Sequence, residues 1–266
     1  TFKIPDDRIS IDDSVIHFNN FTLFDEANNP LQINGSLDYQ SLSYNLQLNA
    51  KDYALINTPE SATGDFKGQL VIDSDIKING RKTDASVDAK LTVKDATKLT
   101  FVTQQEDIKL LKAEGIVEFV DPTIVLDSVT LDQPVTLYDS LLASLPNFNL
   151  TSTVQIEKNA MLRIAIDEES GDYIETSGAG ALELGYDRTG NLKLIGNYTV
   201  TKGIYSLSFY NLVKKNFTLL NGSTINWNGS PKNGDLNIKA VHVVESNSIG
   251  LIGHEIGENE KSVYER

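Results

Sequence analysis

The chain has three histidines, His17, His242 and His254. They lie far apart, and none has a second metal-type ligand at useful spacing. Neither a metal centre nor an imidazole-based catalytic site is expected. The pairs Asp6-Asp7 and Asp12-Asp13 and the run Asp73-Ser74-Asp75 supply oxygen ligands of the kind calcium takes. Their surroundings lack a ligand-rich, glycine-containing loop, so they read as solvated turns. The sequence contains no G-x-S-x-G, no phosphate-binding loop and no G-x-G-x-x-G. Gly178-Ala179-Gly180 precedes a strand pattern rather than a helix, so it reads as turn or strand glycine. With no cysteines, disulfides, thiolate metal sites and thiol nucleophiles are excluded. Such a composition fits an oxidising compartment. Residues able to do acid–base, nucleophilic or redox chemistry do not converge, and the expectation is a protein that is not an enzyme and uses no cofactor.

The 266 residues suffice for one large β domain or two small ones, and 40% are hydrophobic, enough for a substantial apolar surface. A formal net charge of −14 argues against nucleic acid and anionic membrane surface as partners. Both need clustered Lys and Arg. No window reaches the roughly 18 uninterrupted apolar residues of a membrane-spanning helix. The start, Thr1-Phe2-Lys3-Ile4-Pro5, has no apolar leader, and Glu260 to Arg266 carries no terminal signal. The chain therefore reads as a fragment of a longer protein.

Period-two alternation dominates what remains. Leu42, Tyr44, Leu46 and Leu48 alternate with polar residues, as do Val87, Ala89, Leu91 and Val93. The pattern recurs at Leu182, Leu184 and Tyr186, at Leu192 and Leu194, and at Tyr198 and Val200. It continues through Tyr205, Leu207 and Phe209, Phe217 and Leu219, Ile225 and Trp227, and Leu236, Ile238 and Ala240. Each segment reads as a strand with one apolar and one polar face. Turn signals separate them: Asn34-Gly35, Asn79-Gly80, Asn221-Gly222, Asn228-Gly229 and Asn233-Gly234, with Asp187 to Gly190 and Thr201-Lys202-Gly203. Asn and Gly tolerate the positive φ of tight hairpins. The reading is an antiparallel meander of about twenty short strands, extending on the order of 90 Å at ~4.8 Å per strand. Glu106 to Glu114 and Leu137 to Leu145 read as short helices. A break between two halves is placed near Asp139 to Asn147, a second pause at Asn57 to Gly64, and a loop or mobile tail at Ser246 to Lys261.

The apolar face of such a sheet must be covered. A second sheet, closure into a barrel, a solenoid, or folding lengthwise into a trough would each do this. Periodicity does not choose among them.

A more specific signature runs from Glu175 to His242. It comprises Glu175 to Asp187, Gly190 to Tyr198, Lys202-Gly203-Ile204-Tyr205-Ser206-Leu207 and Asn211 to Phe217. Gly222-Ser223-Thr224-Ile225-Asn226-Trp227-Asn228-Gly229-Ser230-Pro231 and Leu236-Asn237-Ile238-Lys239-Ala240 complete it. This pattern resembles the conserved C-terminal region of the TamB family, the translocation and assembly module proteins of Gram-negative bacteria. The richness in Lys, Asn and Ile resembles members from Bacteroidota. Asp167 to Tyr173 extends the likeness weakly, and residues 1 to 150 match only in style. Two departures are evident. Ser230 stands where the family commonly has Asp, and the chain ends before the family's last strands.

The resemblance implies an elongated antiparallel meander folded into a trough, the β-taco, with an apolar interior, akin to AsmA-like and bridge-like lipid-transfer proteins. It implies a protein anchored in the inner membrane by a segment outside this chain, spanning the periplasm. It further implies an outer-membrane partner of the Omp85 class (TamA-like). Residues 1–140 would be the β-taco repeat region, 141–245 the conserved C-terminal β region, and 246–266 a tail. The function implied is carriage of phospholipid between the membranes, with acyl chains as the groove's ligand. The alternative is a chaperone or scaffold for outer-membrane β-barrel assembly and secretion, handling nascent barrels. A surface β-sandwich or β-solenoid adhesin is the third reading, disfavoured by a single Trp and the lack of loop motifs. The expected groove lining is Leu182, Leu184 and Tyr186; Leu192, Leu194, Tyr198 and Val200; Tyr205, Leu207 and Phe209; Phe217 and Leu219; Ile225 and Trp227; and Leu236 and Ile238. Trp227 reads as packing or lining rather than a dedicated ligand contact. Lys214-Lys215 reads as a solvated turn. Sequons such as Asn197-Tyr198-Thr199 read as chance. Asp13-Ser14-Val15, Asp127-Ser128-Val129 and Asp139-Ser140-Leu141 resemble, weakly, the O-glycosylation motif of Bacteroidota.

Overall fold

The structure, a computed structural model, describes residues 9–62, 64–103, 148–168, 170–209 and 213–244. The two short helices expected at 106–114 and 137–145, the break near 139–147 and the tail lie outside these residues. Fifteen strands are described: β1 (Ile9–Asp12), β2 (Val15–Phe24), β3 (Pro30–Asp38), β4 (Ser43–Thr58), β5 (Phe66–Arg81), β6 (Asp84–Val93), β7 (Lys98–Val102) and β8 (Phe148–Ile156). The rest are β9 (Met161–Asp167), β10 (Asp172–Tyr186), β11 (Leu192–Phe209), β12 (Val213–Leu219), β13 (Thr224–Gly229), β14 (Gly234–Asn237) and β15 (Ala240–Val241). All belong to one sheet. The protein is all-β, and the sheet curves into a barrel-like trough.

The strands are longer than the twenty short ones expected, because several residues read as turns lie within strands. Asn34-Gly35 is inside β3 and Asn79-Gly80 inside β5, while Asn228-Gly229 closes β13 and Gly234 opens β14. Of the five Asn-Gly pairs, Asn221-Gly222 occupies a turn, and Asn233-Gly234 ends the β13–β14 turn, where Asn233 N–H donates to Ser230 O at 3.0 Å. Thr201-Lys202-Gly203 lies within the 18-residue β11, where Ser177 pairs with Lys202 but Gly178 with Val200. One extra residue on β11 makes a bulge there instead of a reversal. Asp73-Ser74-Asp75 is likewise in β5, not a turn, and Leu42 sits in the β3–β4 turn at φ 54°, not in a strand. The pause at Asn57 to Gly64 does correspond to the β4–β5 connection.

Neighbours are antiparallel except at one junction, where β6 runs parallel to β8 and β7 to β9. The chain passes between these pairs through residues 103–147. A parallel neighbour requires such a long crossover, whereas hairpins suffice elsewhere.

Interruptions in neighbouring strands fall at one level. β6 and β7 are two halves of one line, both paired to β5, with residues 94–97 looping between them. β8 and β9 flank 157–160 and pair with β10. β12 and β13 flank 220–223 and pair with β11. The three loops close alike: Thr97 N–H donates to Lys94 O at 2.9 Å, Ala160 to Glu157 at 3.1 Å, and Ser223 to Leu220 at 3.2 Å. Register shifts at Ser177/Gly178, where the extra residue is on β11, and at Ala50/Tyr53 continue the line across β11 and β4, whereas the shift at Phe18/Phe21 of β2 lies well above it, level with Lys77 of β5. Ladder disruptions of this kind bend strands. Aligned from strand to strand, they crease the sheet along its length.

The crease holds the most buried side chains: Thr97 and Ala160 at 0% exposure, Val200 and Ser223 at 1%. Thr97 Oγ1 both accepts from Val71 N and donates to Val71 O, each at 3.1 Å. Ser223 Oγ accepts from Lys239 N at 3.0 Å and donates to Leu220 O at 2.8 Å. Backbone groups released by the broken ladder are thereby satisfied without water. On the polar side Lys94 Nζ spans Glu157 at 2.7 Å and Asp73 at 3.2 Å. Those two hydrogen-bonded carboxylates hold its ammonium pKa well above the ordinary lysine value.

Candidate functional site

Residues directly opposite in a sheet share a face, so register shows what each face carries. One row runs Ile9, Phe18, Gly35, Leu46, Ile78, Val87, Leu150, Tyr186 and Leu192. The next runs Phe21, Ile33, Leu48, Ile76, Ala89, Ser152, Leu184 and Leu194. This second row crosses eight strands, about 34 Å at ~4.8 Å each. The opposite face is polar. Glu183 and Lys193 are exposed there while Leu182, Leu184, Leu192 and Leu194 are half-buried. No second sheet lies over the apolar face among the described residues. Its partial burial therefore comes from curvature and from neighbouring side chains on the same face.

Most of the expected lining residues share this face. Leu184 pairs with Leu194, Tyr186 with Leu192, and Leu182 with Gly196, itself opposite Trp227. Tyr198 pairs with Ile225, and Ile225 with Leu236. Beyond the bulge, Tyr205 pairs with Phe217 and Gly203 with Leu219. The extra residue at the bulge resets the alternation of β11, and both sets meet in one cluster. Tyr198, Val200 and Leu219 form its core, with Ile156, Ile174, Tyr205 and Trp227 packed against it. Leu207 pairs with Lys215. Phe209 ends β11, opposite Val213. Leu236 is 68% exposed on the edge strand β14, and Ile238 lies between β14 and β15, outside either strand.

Of a further row, only Tyr205 and Phe217 are among the expected residues. Below the crease, Phe66, Phe101, Ile164, Ile174, Tyr205 and Phe217 are successive partners. Phe66 and Phe101 pack with centroids 5.3 Å apart, Tyr205 and Phe217 stack at 6.0 Å, and His242 packs on Phe217 at 5.1 Å. Alternation within each segment marked these residues only as apolar. What joins them is the parallel β7–β9 junction, which no local pattern specifies.

Several polar atoms at the face are tied down. Trp227 Nε1 donates to Pro231 O at 3.1 Å, so the indole N–H is satisfied within its own motif. Tyr198 Oη bonds Thr176 Oγ1 at 2.6 Å, and burial pushes its phenol pKa above the usual value despite that bond. Lys214 and Lys215 lie in β12 and not in a turn, with Lys215 sharing the face of Leu207. His17 lies in β2 opposite Ser36, and His242 Nδ1 sits 2.8 Å from Asn216 O. Among the described residues no three His, Asp or Glu side chains group as a metal site. A depression of about 200 Å³ on the polar face between β5, β6 and β8 is lined by Asp75, Lys77, Asp88, Lys90 and two threonines, and is a solvated charge lattice.

A single sheet creased along its length, with apolar rows on one face, defines a β-groove protein. A family model described as the TamB C-terminal domain matches residues 19–262, and the chain belongs to the TamB family. That membership places it in the cell envelope, in outer-membrane assembly or in transport of lipid or protein. No curated protein and no solved structure matches it.

Proposed function

We propose that this chain is a non-catalytic segment of a bridge across the periplasm, and that phospholipid moves along its apolar face between the inner and outer membranes. The observation carrying this reading is the continuity of the rows across consecutive strands, perpendicular to the strand direction. An acyl chain laid along such a row gains about 0.8 kcal/mol per buried methylene. Because each strand presents nearly the same apolar surface, a shift by one strand spacing changes that energy little, and the lipid slides. The polar reverse face keeps the segment in water. The inner-membrane anchor lies outside this chain, and the outer-membrane partner is an Omp85-class protein.

Photo-reactive residues at Leu184 and Leu194 on the apolar face, and at Glu183 and Lys193 on the polar face, test the reading in cells. Lipid adducts at the first pair and not at the second are expected. Equal labelling of both pairs would overturn it.

One observation favours a second reading. Among the described residues β15 pairs with β12 only through Thr218 and Leu219, and the rest of β12 has no strand on that side, though His242 Nδ1 sits 2.8 Å from Asn216 O. An open edge of this kind takes an extended strand by β-augmentation, as a nascent outer-membrane barrel would supply. Crosslinks from Asn216 to a barrel precursor, with no lipid recovered from Leu194, would favour this second role.

A further inference from the structure

Among the described residues, the apolar face carries an orphaned polar atom. Ser152 in β8 is 3% exposed, and its hydroxyl has no hydrogen-bond partner. Register places it opposite Ala89 of β6 and Leu184 of β10, within the row that includes Ile76 and Leu194. Leu150 and Val154 flank it on the same face of its own strand. Behind it is the sheet itself, so a partner must come from the groove side, parting the side chains that leave the residue 3% exposed. At the neighbouring position Ala89 offers a single methyl where most of the row carries Leu or Ile, so the side chains that cover Ser152 have least to displace there.

Burying an unpaired hydroxyl is unfavourable, and alanine or valine would occupy this strand position without that cost. A partner supplied by the ligand removes the conflict. The ligand's polar group must accept a hydrogen bond and must enter the groove together with methylenes. An ester carbonyl does both. It is an acceptor only, and it is joined directly to the acyl chain while the headgroup stays in water.

We propose that Ser152 Oγ donates a hydrogen bond to an ester carbonyl of the bound lipid, so that the groove holds ester-linked acyl lipids in preference to ether-linked ones. This rests on the lipid reading above and adds a substrate class to it. Between such stations the chain slides on apolar surface, and at Ser152 it has a preferred register.

The test loads purified wild type, Ser152→Ala and Ser152→Thr from vesicles holding equal amounts of a diacyl phosphatidylethanolamine and its dialkyl ether counterpart. Native mass spectrometry then counts the lipid retained. Wild type is expected to retain the ester lipid about three- to tenfold over the ether, the range one such hydrogen bond supplies. Ser152→Ala is expected to bring the ratio near one with total lipid little changed, and Ser152→Thr to preserve the preference. Without lipid, Ser152→Ala should melt at or above the wild-type temperature, since an unpaired donor has been removed. A wild-type ratio near one, with both lipids held, would overturn carbonyl recognition and leave the lipid reading standing. The same ratio in Ser152→Ala as in wild type would overturn it too. Retention of neither lipid by wild type would defeat both.

Discussion

Tyr198 lies across Gly180: a Cβ on that glycine would meet Tyr198 Cδ2 and Ile156 Cδ1 at 3.2 Å each. On Gly178 it would come within 2.9 Å of Tyr198 Oη. The same relation recurs at Tyr44, whose Cζ would be 2.4 Å from a Cβ on Gly80, and at Trp227, whose Nε1 would be 2.9 Å from one on Gly234. In each case an aromatic ring fills the space left by a glycine on another strand. The rings lie down on the sheet, the glycine backbone is covered, and the apolar face is level where standing rings would obstruct it.

Gly180→Val should therefore displace the Tyr198 ring and cost about 1–3 kcal/mol by overpacking. Gly185 is the control, because a Cβ there would meet nothing closer than Leu150 O at 4.0 Å. Gly185→Ala should be neutral or gain up to about 1 kcal/mol by relieving glycine's backbone entropy. Urea unfolding of the two variants checks the contrast.

Thr97→Val keeps the shape of a fully buried side chain but removes the hydroxyl that serves Val71 N and Val71 O. Val71 N loses that partner while Val71 O keeps Lys94 N at 2.9 Å, and the expected cost is about 1–3 kcal/mol, with Thr97→Ser much milder. Chemical denaturation measures both. If the crease is structural, Thr97→Val should also speed amide exchange at Val71 more than at Leu46.

Asp25 is 3% exposed in the β2–β3 turn. Burial raises its pKa, but hydrogen bonds from Ala54 N, Asn29 N, Asn29 Nδ2 and Ala27 N outweigh that and leave it lowered. A lowered carboxylate pKa adds stability that is complete above the unfolded value and vanishes as pH falls through the folded one. An asparagine side chain at this position would present an NH2 where two donors already point. Asp25→Asn should cost about 1.5–3 kcal/mol at pH 7, with the gap to wild type closing below about pH 4. Melting curves across pH 2–7 check it.

The β10–β11 hairpin repeats this cap in solvent. Thr189 Oγ1, Asn191 N and Thr189 N donate to Asp187 Oδ1, holding its pKa at about 2. A carbon-detected NMR titration should show Asp187 ionised down to that pH, and Thr189→Ala should move it towards the ordinary carboxylate range.

Much of this architecture is legible in the residues themselves. Alternation at Leu182, Leu184, Leu192 and Leu194 marks both the strands and their shared face, because a side-chain period of two leaves no other arrangement. The Asp187 to Gly190 turn is legible for the same local reason. Asn34-Gly35 and Asn79-Gly80 mislead because glycine serves two purposes in a sheet. It turns a hairpin, and it also makes room for a neighbour: Gly80 yields to Tyr44, while a Cβ on Gly35, at φ 127°, would sit 2.0 Å from Asn45 O. Lys202-Gly203 misleads because a bulge and a turn draw on the same residues. The crease and the row from Phe66 to Phe217 are invisible locally, since each depends on which strands become neighbours.

The central claim is that the apolar face holds acyl chains, and native mass spectrometry of the protein purified from envelope extracts addresses it most directly. Phospholipid is predicted to co-purify with wild type and with Lys193→Glu, and to be lost from Leu194→Glu. Protein carrying no lipid, or losing it equally in both variants, would contradict the account.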